Sequence, residues 1–316
     1  MTELEQPSIS VGFDLLAKNT ELSLREYTLI TQSQADIEHH LAKHLSTFST
    51  VLYGAFSRKT IVSPLAGSIV DMLVVFREAD VKNILPSRVF KKLSESLIKQ
   101  YPDAYVLEGQ NILMLPVKNV HYKIRPAYSI SEHIYMLPAE KFNEWVKYDI
   151  TLYNEIFVKE NVRHKGKLIE IIRMIKTWNR VSGNLFNGYY LELLVTAELS
   201  SYQITSYPET LCHVFSVPAS NVAFQKEDPA SVAFQIEGLN DIDDLVTAML
   251  LLKKSLRLAN EAIMFEQDGK IEKALDNWNQ LFPQVFPTQV DMIVAKARSA
   301  GIKGADALRM LISHKK

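Results

Sequence analysis

Residues 51–76, VLYGAFSRKTIVSPLAGSIVDMLVVF, constrain the fold more than any other part of this chain. They read as a short strand, a turn at Gly54-Ala55, a polar segment, and a second strand bearing one acidic residue, Asp71. A turn of small residues lets backbone N–H groups approach phosphates, and a carboxylate on the following strand is the kind of ligand that holds Mg2+. A chain built this way needs a sheet behind the turn and a cleft in front of it.

The sequence around this stretch supplies both. Residues 32–46 place Ile37, Leu41 and Leu45 on one helix face, and His39, His40 and His44 fall on a solvated face with no carboxylate or cysteine spacing that would make a metal site. A helix is expected over residues 87–100, bounded by Pro86 and by Tyr101-Pro102. Strands are expected over 105–108, 112–117 and 121–130, separated by Gly109-Gln110-Asn111 and Lys118-Asn119. From residue 139 the pattern becomes helical: 139–160, 167–181 with Leu168, Ile171, Ile172 and Ile175 on one face, 189–200, 242–267, 270–281 and the C-terminal tail. Residues 216–238 read as a polar loop, and its doubled VAFQ (222–225 and 232–235) is too short for a repeat architecture. The expectation is an α+β chain: residues 1–138 form a mixed sheet with helices, including an N-terminal one, packed against a helical unit of residues 139–316, with a ligand cleft between them.

Composition narrows the function classes. The 316 residues carry a formal net charge of -1, which gives no global electrostatic case for a nucleic-acid or membrane surface. The single cysteine, Cys212, excludes an intramolecular disulfide and fits a reducing cytoplasm. The opening MTELEQ has no signal-peptide pattern, and the apolar stretch 245–252 is too short to span a bilayer. HExxH, GxSxG, Walker and CxxC motifs are absent, and Cys212 beside His213 reads as a core cysteine rather than a nucleophile pair.

Several groups of residues carry a more specific resemblance. Gly54-Ala55, Ile69-Val70-Asp71, residues 123–128 (KIRPAY), residues 173–179 (RMIKTWN), residues 188–192 (GYYLE), and later Trp278 and Phe286-Pro287 follow one another in a characteristic order and spacing. In this the chain resembles the cGAS/DncV-like nucleotidyltransferases (CD-NTases), bacterial relatives of cGAS and oligoadenylate synthetase that make oligonucleotide signals in antiviral defence. The resemblance implies a polymerase-β-like nucleotidyltransferase core and a C-terminal helical domain. It also implies two Mg2+ ions held by three aspartates, which clamp a triphosphate while one carboxylate helps deprotonate the attacking hydroxyl.

Against that pattern the chain departs at four positions. Of the three aspartates only Asp71 remains; Ile69 and Lys123 stand at the other two, Ala55 replaces the serine of the turn, and Gly188 replaces a second serine. Ile69 neither coordinates a cation nor accepts a proton. Lys123 at a metal position would repel a cation about 4 Å away by roughly 4 kcal/mol at an effective dielectric near 20. The resemblance therefore implies a site impaired in catalysis that still binds a nucleoside triphosphate or oligonucleotide, with Gly54, Ala55, Lys59, Lys123, Lys176 and Tyr189 as nucleotide-binding candidates. Arg173, Lys176 and Arg180 would share one helix face, Lys176 standing at the family's phosphate-binding lysine, and Arg58 adds a cation after the turn. Two roles are open for Lys123: neutralising a triphosphate without metal, or pairing with Asp71 to plug the site. The alternative function is an active enzyme making cyclic or linear oligonucleotides with Mg2+, its atypical metal site completed by Glu78, Asp80 or a second subunit. A protein partner within a defence system belongs to either reading, and a pure interaction scaffold is the third.

Overall fold

The computed structural model describes residues 8–45, 47–139 and 143–301. It opens with two helices, α1 (Ile9–Asn19) and α2 (Leu24–His44). α2 begins well before residue 32 because Ser23 and Glu26 form a reciprocal capping box: the Ser23 hydroxyl accepts from the Glu26 N–H at 3.2 Å, and the Glu26 carboxylate accepts from the Ser23 N–H at 2.9 Å. There follow β1 (Thr47–Tyr53), β2 (Ile69–Phe76), α3 (Glu78–Val81), α4 (Pro86–Gln100), β3 (Tyr105–Val106), β4 (Leu113–Val117), β5 (Val120–Ser129), β6 (Ile134–Pro138) and β7 (Trp145–Asp149). The remainder is α5 (Leu152–Arg163), α6 (Lys167–Val181), α7 (Gly188–Leu199), α8 (Tyr207–Phe215), α9 (Ala219–Ala223), β8 (Lys226–Asp228), β9 (Ser231–Ile236), α10 (Ile242–Gln267), α11 (Ile271–Leu281) and α12 (Gln289–Ser299). The chain is α+β, with a mixed sheet and C-terminal helices.

The sheet is seven-stranded, with the order β1-β2-β5-β4-β3 and β6 and β7 continuing from β5. β2 and β5 run parallel, while β1, β4 and β6 join antiparallel, so β5 is the strand around which the sheet is built. Side chains alternate between faces along each strand. Val70, Met72 and Val74 of β2 and Tyr122 and Ile124 of β5 pack with Ile37 and Leu41 of α2 and Leu93 and Leu97 of α4. Leu73, Val75 and Ala127 lie on the opposite face with Tyr53, Tyr135, Tyr148 and Phe234. Asp71, Lys123 and Arg125 have the parity of this second face, which is the one turned to the cleft. A separate core joins Ile9, Phe13 and Leu16 of α1 to the C-terminal helices through Trp178, Phe215, Trp278 and Phe286.

Two expectations need correction. Residues 139–160 are not one helix: β7 occupies 145–149 and pairs with β6 (Tyr135 opposite Tyr148, Leu137 opposite Val146) before α5 begins. Trp145, Val146 and Tyr148 are strand formers whose cross-strand partners outweigh a helical pattern. Residues 216–238 are not a polar loop either, for they hold α9 and the β8–β9 hairpin. The first VAFQ spans the end of α9 and the second lies in β9, so the two copies differ in conformation. Residues 302–316 of the expected C-terminal helix lie outside the described residues. The sequence division after residue 138 falls within the β6–β7 hairpin. We propose the seam after Asp149, with α1 counted among the helices. Among the described residues no helix is long and apolar enough to cross a membrane.

Candidate active site

One row of side chains crosses the sheet at the cleft. Tyr53 of β1 is opposite Asp71, Asp71 is in register with Lys123, and Lys123 is opposite Met114 of β4. Gly54 follows Tyr53 with φ +65°, and a Cβ placed on it would stand 2.6 Å from Asp71 Oδ2. Only glycine satisfies both the left-handed backbone and the carboxylate pressed against its Cα. The turn then closes on itself: the Gly54 carbonyl accepts from Arg58 N–H at 3.2 Å, and the Ala55 carbonyl from Thr60 N–H at 2.9 Å. Ile69, at the start of β2, is 46% exposed at the mouth.

This donor set does not fit a pair of Mg2+ ions. Asp71 is the one carboxylate in the row, a cation adjoins it in register, and an alkyl side chain precedes it. Among the described residues no three His, Cys, Asp or Glu side chains converge into a metal site. Glu78 and Asp80 lie beyond the far end of β2 in α3, where Glu78 pairs with Lys82. At about 3.3 Å per residue, the strand between Asp71 and Phe76 alone separates them from Asp71 by roughly 17 Å, so they do not complete the site.

The helical wall of the cleft is organised by Glu192 of α7, a residue the sequence reading left without a role. Its side chain is wholly buried. It accepts from Arg58 Nε at 2.7 Å and from the Thr60 hydroxyl at 2.6 Å, and forms an ion pair with Lys176 Nζ. Burial alone would raise the Glu192 pKa, but Arg58 and Lys176 overcome it and hold the carboxyl down at about 2. Burial likewise opposes the Arg58 charge, and Glu192 outweighs it, raising the guanidinium above its ordinary value. Lys176 is lowered by its burial, making it the partner that would give up a proton first were Glu192 removed. Arg58 also lies over the rings of Tyr153 and Tyr189, at 4.9 and 5.0 Å from their centroids.

The three cations of α6 do not form a common solvated face. Lys176 turns to Glu192, and Arg173 is buried and reaches the Ala17 carbonyl at 3.4 Å. Arg180 donates to the carbonyls of Pro64 and Val62 at 2.9 and 3.3 Å and to the Ser68 hydroxyl at 2.6 Å, tying α6 to the β1–β2 loop. Gly188 sits over Lys176, its would-be Cβ 3.8 Å from Lys176 Cε. Tyr189 lines the cleft and donates to Asp228 Oδ1 at 3.0 Å. Tyr190 is core instead, its hydroxyl donating to the carbonyls of Asn221, Val222 and Phe224. Lys59 is exposed at φ +60° and stands outside the cleft lining.

The β8–β9 hairpin closes the remaining side. Asp228 accepts from Tyr148 at 3.2 Å as well as from Tyr189, and Phe234 lies beneath the Arg125 guanidinium, 5.6 Å from the ring centroid. The resulting cleft has a volume of about 960 Å³ and gathers Gly54, Ala55, Asp71, Lys123, Lys176 and Tyr189. It also gathers Arg58, Arg125, Glu192 and Asp228. Arg125 was readable as the next cleft-facing residue after Lys123, by alternation along β5. Glu192 carried a signal too, as an acid set between Leu191 and the run Leu193-Leu194-Val195 of a helix. Asp228, in the misread loop, carried none. Elsewhere, His40 contacts Ser96 at 3.1 Å and joins no metal cluster among the described residues, and burial pushes the Cys212 thiol up to about 11, which fits an inert cysteine.

Comparison with known proteins shows what this chain is similar to. Residues 8–161 match the Second Messenger Oligonucleotide or Dinucleotide Synthetase (SMODS) domain. A probable cyclic nucleotide synthase of Bacillus cereus is 24% identical over 279 residues, 76% of this chain and 82% of the relative. Escherichia coli MS115-1 CdnC, solved in complex with HORMA-deltaN, superposes with a TM-score of 0.65 at 14% identity, covering 88% of this chain and 98% of that one. Vibrio cholerae DncV cyclic AMP-GMP synthase, solved with the linear intermediate pppA(3',5')pG, gives a TM-score of 0.60 at 13% identity, covering 89% of this chain and 85% of that one. At those identities the two structures speak to fold, and the fold is the mixed sheet and C-terminal helices described above. Joined to the cyclic nucleotide synthase relative, these matches show a SMODS domain over residues 8–161 and a likeness of the whole fold to the cGAS/DncV-like nucleotidyltransferases (CD-NTases).

Proposed function

We propose that this protein holds a nucleoside triphosphate or an oligonucleotide in the cleft and is impaired in nucleotidyl transfer, acting by binding within a nucleotide-signalling defence system. The observation that carries the reading is the register of β2 and β5, which sets Lys123 beside Asp71 with Ile69 at the mouth. Two-metal transfer needs carboxylates that hold the ions in line with the attacking and leaving oxygens. One carboxylate flanked by an ammonium does not supply them. Support for binding comes from a roomy cleft whose wall keeps Gly54, Lys176 and Tyr189 in place. Two related structures are described with ATP or with ATP and GTP. The CdnC complex with HORMA-deltaN makes a protein partner part of the same proposal.

The test is incubation with labelled nucleoside triphosphates and Mg2+ or Mn2+, followed by product analysis, with Asp71→Ala as control. No product above that control is expected. Abundant product that disappears in Asp71→Ala would overturn the impairment and leave an active synthase. Thermal unfolding tests the binding half, since a ligand at 100 times its Kd adds about 2.7 kcal/mol of stability.

A further inference from the structure

We propose that α10 carries a docking surface for a second copy of this chain, the two α10 helices packing antiparallel about a two-fold axis near Ala248. This surface is independent of what the cleft binds.

The two faces of α10 differ in what covers them. Successive residues of a helix are turned by about 100°. Ala248, Leu252, Ser255, Leu258, Ala259 and Ala262 fall on one face and are buried, and the Trp178 indole donates to Ser255 from the helical core. On the opposite face Ile242, Val246 and Leu250, each four residues from the next, are 69%, 55% and 65% exposed. Single exposed apolar residues are ordinary on a protein surface, but three in successive turns form one strip about 12 Å long. The solvent face of an isolated helix would carry polar residues there.

The charges at the ends of the strip select its occupant. Asp243 is exposed at the N-terminal end, and Lys253 and Lys254 at the C-terminal end. Asp243 and Lys253 share the face of the strip but lie ten residues apart, about 15 Å along the axis, so they do not pair within one helix. A two-fold interface must be self-complementary, and this face is. Asp243 and Lys253 are each five residues from Ala248, and Val246 and Leu250 are each two. A second α10 turned end for end about that point sets Asp243 against the partner's Lys253 and Val246 against the partner's Leu250, each contact occurring twice. Ile242 then meets the partner's Lys254, whose methylene stem covers it while the ammonium stays in water. Positions 243, 246, 250, 253 and 257 alternate by three and four residues, the spacing of a seam between two helices. A parallel pair would set like charges together at both ends, and a uniformly charged partner such as nucleic acid would be repelled at one end. Residues 235–240 of the cleft wall run directly into α10, so the second copy would sit beside the cleft.

Sedimentation of the full chain over a range of concentrations tests this. A strip of this size belongs to the weak end of protein interfaces, so association is expected in the micromolar range and should weaken with salt. Leu250→Lys, at an exposed position and checked to melt like the parent, is expected to weaken association at least about tenfold. Asp243→Lys and Lys253→Asp should each weaken it as well. An equimolar mixture of these two single variants should associate like the parent, because each supplies the charge the other has lost. A chain that stays monomeric at every concentration would overturn the proposal. Slow alkylation of Leu250→Cys in that monomer, legible because Cys212 is inert, would then give the face to residues 302–316. Association that Leu250→Lys leaves unchanged would place the contact elsewhere and overturn the assignment to α10. A mixture of the two charge variants no stronger than either alone would overturn the antiparallel register. Should Asp243→Lys lose stability through its place in the first helical turn, Leu250→Lys decides the face alone.

Discussion

Replacing Glu192 by glutamine should cost this protein about 3 to 5 kcal/mol, the range for removing one partner from a buried ion pair. The substitution keeps shape and one acceptor oxygen, so nearly all of the loss is charge. Glu192 has no solvent exposure, and the side chains of Arg58 and Lys176 have 8% and 12%. Without the carboxylate, two cations face each other across a site that water reaches poorly. The pKa gives an independent figure. A carboxyl that falls from 4.5 to about 2 on folding contributes about 3 kcal/mol at neutral pH. The sign follows from that depression: the contribution is complete above the unfolded value and is lost as pH falls towards the folded one. The gap between parent and Glu192→Gln, measured by urea unfolding, should therefore be about 3 kcal/mol at pH 7 and about 1 kcal/mol at pH 3. A gap under about 1 kcal/mol at pH 7 would refute the network's role. So would a gap that does not change between pH 7 and pH 3.

Gly54→Ala should destabilise by about 2 kcal/mol or more, since φ is +65° and the new methyl meets Asp71 Oδ2 at 2.6 Å. Adding Asp71→Ala should restore part of that loss in a double-mutant cycle, and additive losses would show that the carboxylate is not the obstacle. Ser255→Ala removes the acceptor of the buried Trp178 indole N–H at 2.9 Å and should cost about 1 to 3 kcal/mol in chemical unfolding. With its thiol at about 11, Cys212 should be alkylated at pH 8 at roughly one hundredth the rate of a free cysteine, and only on denaturation should it react normally.

The sheet strands from residue 105 to 130 were legible because turn residues and strand formers alternate cleanly there. Lys118 and Asn119 adopt φ of +50° and +68°, the backbone of a tight hairpin. The long helix α10 was equally plain from its periodicity. β7 was hidden because Trp145 to Asp149 is short and borders α5, and only its pairing with β6 makes it a strand. At the site, the turn and Asp71 could be read from residue types, and the Lys123 position from spacing. What the cations of α6 do could not be read, because helical spacing puts Arg173, Lys176 and Arg180 near one another without showing their partners. Those partners are Ala17, Glu192 and the loop carbonyls of residues 62 and 64, each distant in sequence. Lys176 thus reaches the cleft wall as half of an ion pair rather than as a free cation.

The positions that differ from the family pattern and those that keep it fall into two structural groups. Glu192 on α7 is bonded to Arg58 and Thr60 in the loop after β1, and Arg180 on α6 is bonded to the same loop at Val62, Pro64 and Ser68. These contacts join the helices to the sheet, so altering them would cost several kcal/mol of folding stability whatever the cleft does. Ile69 is exposed and Lys123 is half-buried at the edge of an open cleft, where substitutions shift stability by only about 0.5 kcal/mol. Side chains at the mouth can therefore be exchanged while the cradle behind them stays fixed. Asp71, pressed against Gly54 and in register with Lys123, lies at the boundary between the two groups. A cleft whose mouth varies while its cradle stays fixed is thus what the energetics of this fold lead one to expect.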